Sequence, residues 1–140
     1  RPRPRPPVQT TTPYCEEWTR LNETDRKAIR AGINSAAPNL YYNCYLEHGG
    51  DLYLKSKKEF EEDPSLNKYR VEEYTEYHVM DNNRELWNLT GFAQYAMKYW
   101  VKRAKSDEAE FGCGYSSKFA AKYSTPDTPI EETRLACIFK

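Results

Sequence analysis

Glu110-Phe111-Gly112-Cys113-Gly114-Tyr115 and Leu135-Ala136-Cys137-Ile138-Phe139 decide the fold. Each segment sets one cysteine among residues that suit a pleated, half-buried surface. Gly112 and Gly114 remove the side chains beside Cys113, as a strand does where another backbone or a disulfide comes close. The two segments are therefore expected to be paired C-terminal strands stapled by Cys113–Cys137. The alternative is two separate strands with reduced, buried cysteines.

The rest of the composition limits what surrounds this pair. The chain has 140 residues, enough for one domain with a real core. Lys+Arg and Asp+Glu are both 21, so the net charge is zero and the basic excess of a general nucleic-acid binder is missing. Twelve tyrosines and a mean hydropathy of −0.96 describe a polar protein whose aromatic rings are half buried with wet hydroxyls. The apolar runs are too short to cross a bilayer, so membrane insertion is not expected. No signal-peptide pattern is present, as expected of a mature secreted chain that has lost one.

Cys15, Cys44, Cys113 and Cys137 allow three pairings. None forms a C-x-x-C pair and no histidine sits beside them at ligand spacing, which argues against zinc. Two sequons, Asn22-Glu23-Thr24 and Asn88-Leu89-Thr90, point with the even cysteine count to the secretory pathway. A secreted, extracellular glycoprotein is the expectation.

Residues 1–13 read as an extended arm. Arg1-Pro2-Arg3-Pro4-Arg5-Pro6-Pro7 favours polyproline geometry and carries positive charge on Arg1, Arg3 and Arg5. It is either a spacer or a basic docking arm for a glycosaminoglycan, a membrane surface or a groove that takes proline-rich peptide. Residues 14–140 form the domain. A first helix starts at Asn22 or Thr24, with Ala28, Ile29, Gly32 and Ile33 inward and Pro38 closing the segment. A second helix is expected over residues 43–60, with Leu46, Gly49, Gly50, Tyr53 and Lys57 on one face. Its Gly49-Gly50 pair marks either a close approach or a kink. Asp63-Pro64 is a loop. Residues 69–80 alternate as a strand with Val71, Tyr77 and Val79 on its apolar side, and Asp81-Asn82-Asn83 is a turn. A helix over residues 88–105 buries Leu89, Phe92, Ala93, Ala96, Trp100 and Ala104. Between the cysteine strands, Ser124-Thr125-Pro126-Asp127-Thr128-Pro129 is an exposed loop.

In this order the features resemble the CAP superfamily (SCP/TAPS), and within it the activation-associated secreted proteins of parasitic nematodes. The matching residues are Cys15 before a capped helix, Tyr42-Asn43-Cys44-Tyr45-Leu46-Glu47 and an Ala/Trp-rich helix ending at Tyr99-Trp100-Val101. Phe111-Gly112-Cys113-Gly114-Tyr115 and Ala136-Cys137-Ile138-Phe139 complete them. In that family a Y-D-C-x-L/V-E segment opens the second helix, and a G-C-G strand pairs with a V/A-C-x-Y/F strand. The resemblance implies an α+β fold, an α-β-α sandwich of three or four helices about a short antiparallel sheet. It supports the Cys113–Cys137 pair, with Cys15–Cys44 as the second.

The family's hallmark helix, G-H-Y/F-T-Q-M-V-W, carries a histidine that joins a second histidine and two acids in a cleft able to bind metal. Here Phe92 stands at that histidine under one alignment; under the other the hallmark helix is deleted. Both remove the histidine, and the family's closing Pro-x-Gly-Asn is absent. His48 and His78 are the only histidines, and a metal or acid–base site would need both beside acids such as Glu47, Asp51, Glu73 or Glu76. Neither a nucleophile arrangement nor a phosphate loop is present. No catalytic residue and no cofactor is expected. The resemblance then implies a non-catalytic effector acting on a host receptor, protease or matrix protein by inhibition, adhesion or immune modulation. Its alternative is a small lipid or sterol carrier, which needs a cavity lined by Phe92, Tyr95, Met97 and Trp100.

Overall fold

In the computed structural model, residue 9 and residues 11–15, 19–80 and 88–140 are described. The arm's arginines and the turn at residues 81–83 lie outside these residues.

Helix α1 (Glu23–Ala36) begins where the sequence offers a cap. Asn22 Oδ1 accepts the Asp25 amide at 2.8 Å. Ile29, Gly32 and Ile33 are buried on its inner face, and so is Arg26. Strand β1 (Tyr41–Tyr42) follows, then α2 (Cys44–Lys55), whose cap Asn43 takes the Tyr45 amide at 2.8 Å. The expected single helix over residues 43–60 is two. Ser56 leaves helical geometry and its hydroxyl caps a second helix, α3 (Lys57–Glu61), by accepting the Glu59 amide. Strand β2 (Arg70–Val79) leads to α4 (Leu89–Trp100), capped by Asn88. Helix α4 stops at Trp100 and a 3₁₀ turn (Val101–Arg103) follows, so Ala104 is exposed rather than part of the buried stripe. Strands β3 (Glu110–Phe119) and β4 (Ile130–Phe139) close the chain. Each is longer than the cysteine segments suggested, because the mostly polar residues 116–119 and 130–134 continue the ladder.

The four-stranded sheet has the order β1-β3-β4-β2. β1 runs parallel to β3, and the other pairs are antiparallel. Cys113 sits directly opposite Cys137 and is bonded to it; Cys15 is bonded to Cys44. Strand alternation then assigns the two faces. Phe111 and Cys113 of β3, with Leu135, Cys137 and Phe139 of β4, pack in one core with Ile29 and Ile33 of α1 and Phe92, Met97 and Trp100 of α4. On the other face Ile138 packs with Leu46 of α2, with Phe60 and with Leu66. The result is an α-β-α sandwich, helices α1 and α4 on one side and α2 and α3 on the other. Burying one such aliphatic or aromatic side chain contributes about 1.5–3 kcal/mol, so the two cores hold both layers to the sheet.

The glycines set how closely the layers approach. A Cβ on Gly112 would lie 2.5 Å from the Asn43 carbonyl oxygen, and one on Gly50 would lie 2.6 Å from that of Ala136. A Cβ on Gly114 would run into the backbone of Gly50 and Asp51. Helix α2 therefore lies with its backbone against β3, and Gly49-Gly50 is a close approach, not a kink. Gly32 does the same between helices, since its Cβ would fall 2.7 Å from that of Ala93.

Candidate interaction surface

The two histidines are not brought together. His48 is part-buried on α2, within electrostatic reach of Asp51 and Asp63. His78 lies on the opposite face of the sheet, with Nε2 3.2 Å from Thr133 Oγ1 and 4.0 Å from Glu131 Oε2. It shares that face with Tyr74 and does not point away from the helices as a pure surface residue would. Among the described residues no group of three or more His, Cys, Asp or Glu side chains could hold a metal ion.

Glu47 is engaged elsewhere. Arg26 Nε donates to its Oε1 at 2.6 Å and Arg26 Nη2 to its Oε2 at 3.0 Å, a bidentate pair. Nη2 also donates to the Leu21 carbonyl at 2.8 Å and to Thr19 Oγ1 at 3.2 Å, and the Tyr42 hydroxyl donates to Glu47 Oε1. Arg26 is 1% exposed and Glu47 0%. The hydrogen bond and charge of Glu47 raise the Arg26 pKa further above its usual value. Burial, then the Glu47 carboxylate, pushes the Tyr42 hydroxyl well above the usual phenol range. With both oxygens occupied, Glu47 ties α1, β1 and α2 together. The sequence carried a signal for this: Arg26 falls three residues before Ile29 on the inward stripe of α1, where an unpaired charge would be prohibitive. Nearby, Asp51 accepts the Arg20 amide at 3.3 Å, and burial pushes its carboxyl up to about 6.

The aromatic candidates divide. Phe92 and Trp100 are closed into the core, 5% and 2% exposed, while Tyr95 stands on the surface. Tyr95 and Tyr99 lie over Tyr74 with ring centroids 5.8 and 6.1 Å away, and their hydroxyls are 3.0 Å apart. Met97 reaches an open cleft of ≈ 270 Å³ between the ends of α1 and α4, lined also by Leu40 and Phe139. That is smaller than the usual ligand pocket of roughly 300–1,000 Å³. Asn22 and Asn88 are both exposed helix caps; a glycan attached through Nδ2 leaves Oδ1 free to cap.

Among the described residues, a group of exposed apolar side chains lies at the end of the sheet beyond the cysteines. Tyr77 and Val79 of β2, Met80, Phe119 at the end of β3 and Tyr123 are each 41–57% exposed. The register brings them together: Val79 pairs with Ile130, and Phe119 with Glu131 of the same strand. Tyr123 packs against Tyr77 with centroids 4.9 Å apart, and Tyr77 donates to Glu132 at 3.0 Å. By strand alternation Tyr77 and Val79 project on the α2 side and Phe119 and Met80 on the α4 side. The residues were visible in sequence, but 116–119 did not read as strand, so their convergence was not.

A three-layer sandwich whose central hairpin is bridged by Cys113–Cys137, with a second bridge into α2, is the architecture of the CAP class of proteins. The chain belongs to the Ancylostoma-associated secreted protein related family, whose model matches residues 15–139. Two solved structures of the Ancylostoma secreted protein Ac-ASP-7 share the fold. The manganese-bound form has a TM-score of 0.52 at 11% identity, covering 91% of this chain and 74% of that one. The second has a TM-score of 0.51, also at 11% identity, covering 90% and 73%. At that identity the likeness is one of fold. No curated protein matches the chain in sequence.

Proposed function

We propose that this parasite-type CAP protein is a secreted, non-catalytic effector that binds a host protein through the aromatic end of its sheet. One observation carries the reading. Five large apolar side chains stand exposed at one end of the sheet, Phe119 and Tyr123 on the disulfide-braced hairpin and Tyr77, Val79 and Met80 on and just after the neighbouring β2, where a monomer gains nothing by displaying them. Tyrosine and phenylalanine are favoured in interface cores, and a rigid strand presents them at little entropic cost. Two disulfides and membership of a secreted-protein family support an extracellular site of action. Among the described residues, no helix is long and apolar enough to cross a membrane.

The test is capture of host plasma and leukocyte-surface proteins on the immobilised full chain, with bound proteins identified by mass spectrometry. Phe119→Ser with Tyr123→Ser should abolish capture of the specific partner, both side chains being too exposed to matter much for folding. Removal of residues 1–7 separately tests the arginine arm. A partner retained in full by the double variant refutes the assignment of the surface.

A further inference from the structure

Strand β2 is the edge of the sheet beyond β4, and its ten residues pair with β4 without a skipped position. The phase of that ladder follows from one bond. The Met80 amide donates to the Pro129 carbonyl at 2.8 Å, so 80 and 129 are a hydrogen-bonded pair. Such pairs recur every second residue in an antiparallel ladder, which directs the backbone groups of 70, 72, 74, 76 and 78 toward β4. The N–H and C=O groups of Val71, Glu73, Thr75, Tyr77 and Val79 point outward. Among the described residues no hydrogen bond reaches them. Natural sheets guard such an edge with proline, charged side chains and lysine above all, a bulge, a short strand or a covering helix or loop. β2 is ten residues long with no proline, lysine or bulge, and its charges Arg70, Glu72 and Glu73 are paired within the chain.

We propose that β2 pairs with β2 of a second copy, joining two sheets into one of eight strands about a two-fold axis at Thr75. Antiparallel pairing of outward-facing residues requires odd positions to meet odd positions. Centred on Thr75, Val71 faces Val79 of the second copy, Glu73 faces Tyr77, and Thr75 faces Thr75. On the other face Glu72 meets His78 and Tyr74 meets Glu76. No like charges oppose one another. Sliding one copy by two residues sets Glu72 against Glu76 in one direction and Glu76 against Glu76 in the other, and like charges directly opposite are unfavourable. A slide by one residue faces outward groups with inward ones and forms no ladder. The register is thus selected by charge over the full strand. An axis normal to the sheet keeps each face on its own side, so the Tyr95–Tyr99 pairs of both copies flank the joint on one face. Tyr77 and Val79 belong both to this strand and to the aromatic end proposed for host binding, whereas Phe119 and Tyr123 lie outside it, so Phe119→Ser with Tyr123→Ser tests host capture without touching the paired edge.

The test is light scattering on the eluting full chain across a concentration series, with hydrogen exchange of the wild type. The expected species has twice the 16.5 kDa chain mass, and the amides of Glu73, Thr75 and Tyr77 gain protection as concentration rises. Thr75→Lys places two ammonium groups against each other at the axis and should weaken the dimer by about tenfold or more. A chain that stays monomeric through the millimolar range overturns the proposal. So does a dimer whose edge amides exchange freely. Should Thr75→Lys fail to fold, the exchange of the wild-type edge decides alone.

Discussion

Glu47→Gln isolates a charge in the interior. Arg26 has its guanidinium sealed against Glu47, and the two side chains are 1% and 0% exposed. Glutamine fills the same volume and keeps one acceptor, but it leaves the positive charge uncompensated in a low-dielectric site. Breaking a buried pair in this way costs about 3–5 kcal/mol. At roughly 2.1 cal/mol/K of unfolding entropy per residue, 140 residues give about 0.3 kcal/mol/K, so Tm should fall by about 10–17 °C. Scanning calorimetry at neutral pH with the disulfides intact measures it. Added salt should change the loss little, because a buried pair is poorly screened. Arg26→Met combined with Glu47→Leu removes both charges and should recover most of the loss. A single-variant cost under about 1 kcal/mol, or a double variant no more stable than the single, would refute the account of this pair as a buried clamp.

Gly114→Ala sets a methyl carbon against the backbone of Gly50 and Asp51, which no rotamer change can relieve, so α2 must lift off β3. Denaturant unfolding should show a loss of about 3 kcal/mol or more; an unchanged midpoint would mean the layers are not in backbone contact. Asp51 titrates at about 6 in the folded chain against a usual 3.8. The folded state therefore holds the extra proton between these values, and stability falls as pH rises from about 4 to about 6. Asp51→Asn keeps an acceptor for the Arg20 amide and should stabilise the protein at pH 7 by about 1–2 kcal/mol, after discounting for partial exposure, with no gain near pH 4. A gain that is constant with pH would contradict it.

Much of this molecule is local and was legible in its sequence. Asn22, Asn43 and Asn88 cap helices because a short side chain reaches amides two or three residues on, a matter of neighbouring residues alone. Ile29 and Ile33 of α1, and Leu89, Phe92, Ala93, Ala96 and Trp100 of α4, are buried as their 3.6-residue spacing requires. The two cysteine segments announce a stapled hairpin because strand formers surround them. Ser56 was harder, since its effect depends on whether the hydroxyl serves the helix behind or the one ahead.

The remainder depends on distant partners. A glycine pair in a helix says that side chains are missing but not what fills the space. Only the sandwich shows Gly50 against Ala136 and Gly114, and Gly112 against Asn43. Arg26 and Glu47, twenty-one residues apart, become a pair only when α1 and α2 meet at β1. Strand alternation fixes the spacing of residues along β2, yet which face meets a helix is decided by β4 beside it. Tyr77 and Val79, apolar in sequence, are exposed, whereas Glu72 is buried against Arg70 and Arg103. His48 and His78 are thirty residues apart in the chain, and the sheet between them keeps them on opposite faces. The sequence by itself determined where each element begins and which stripe it buries, because capping and periodicity act over a few residues. Tertiary structure alone decided which backbones touch, which charges are neutralised and which aromatics stay in water, because those outcomes depend on what packs against each element from elsewhere in the chain.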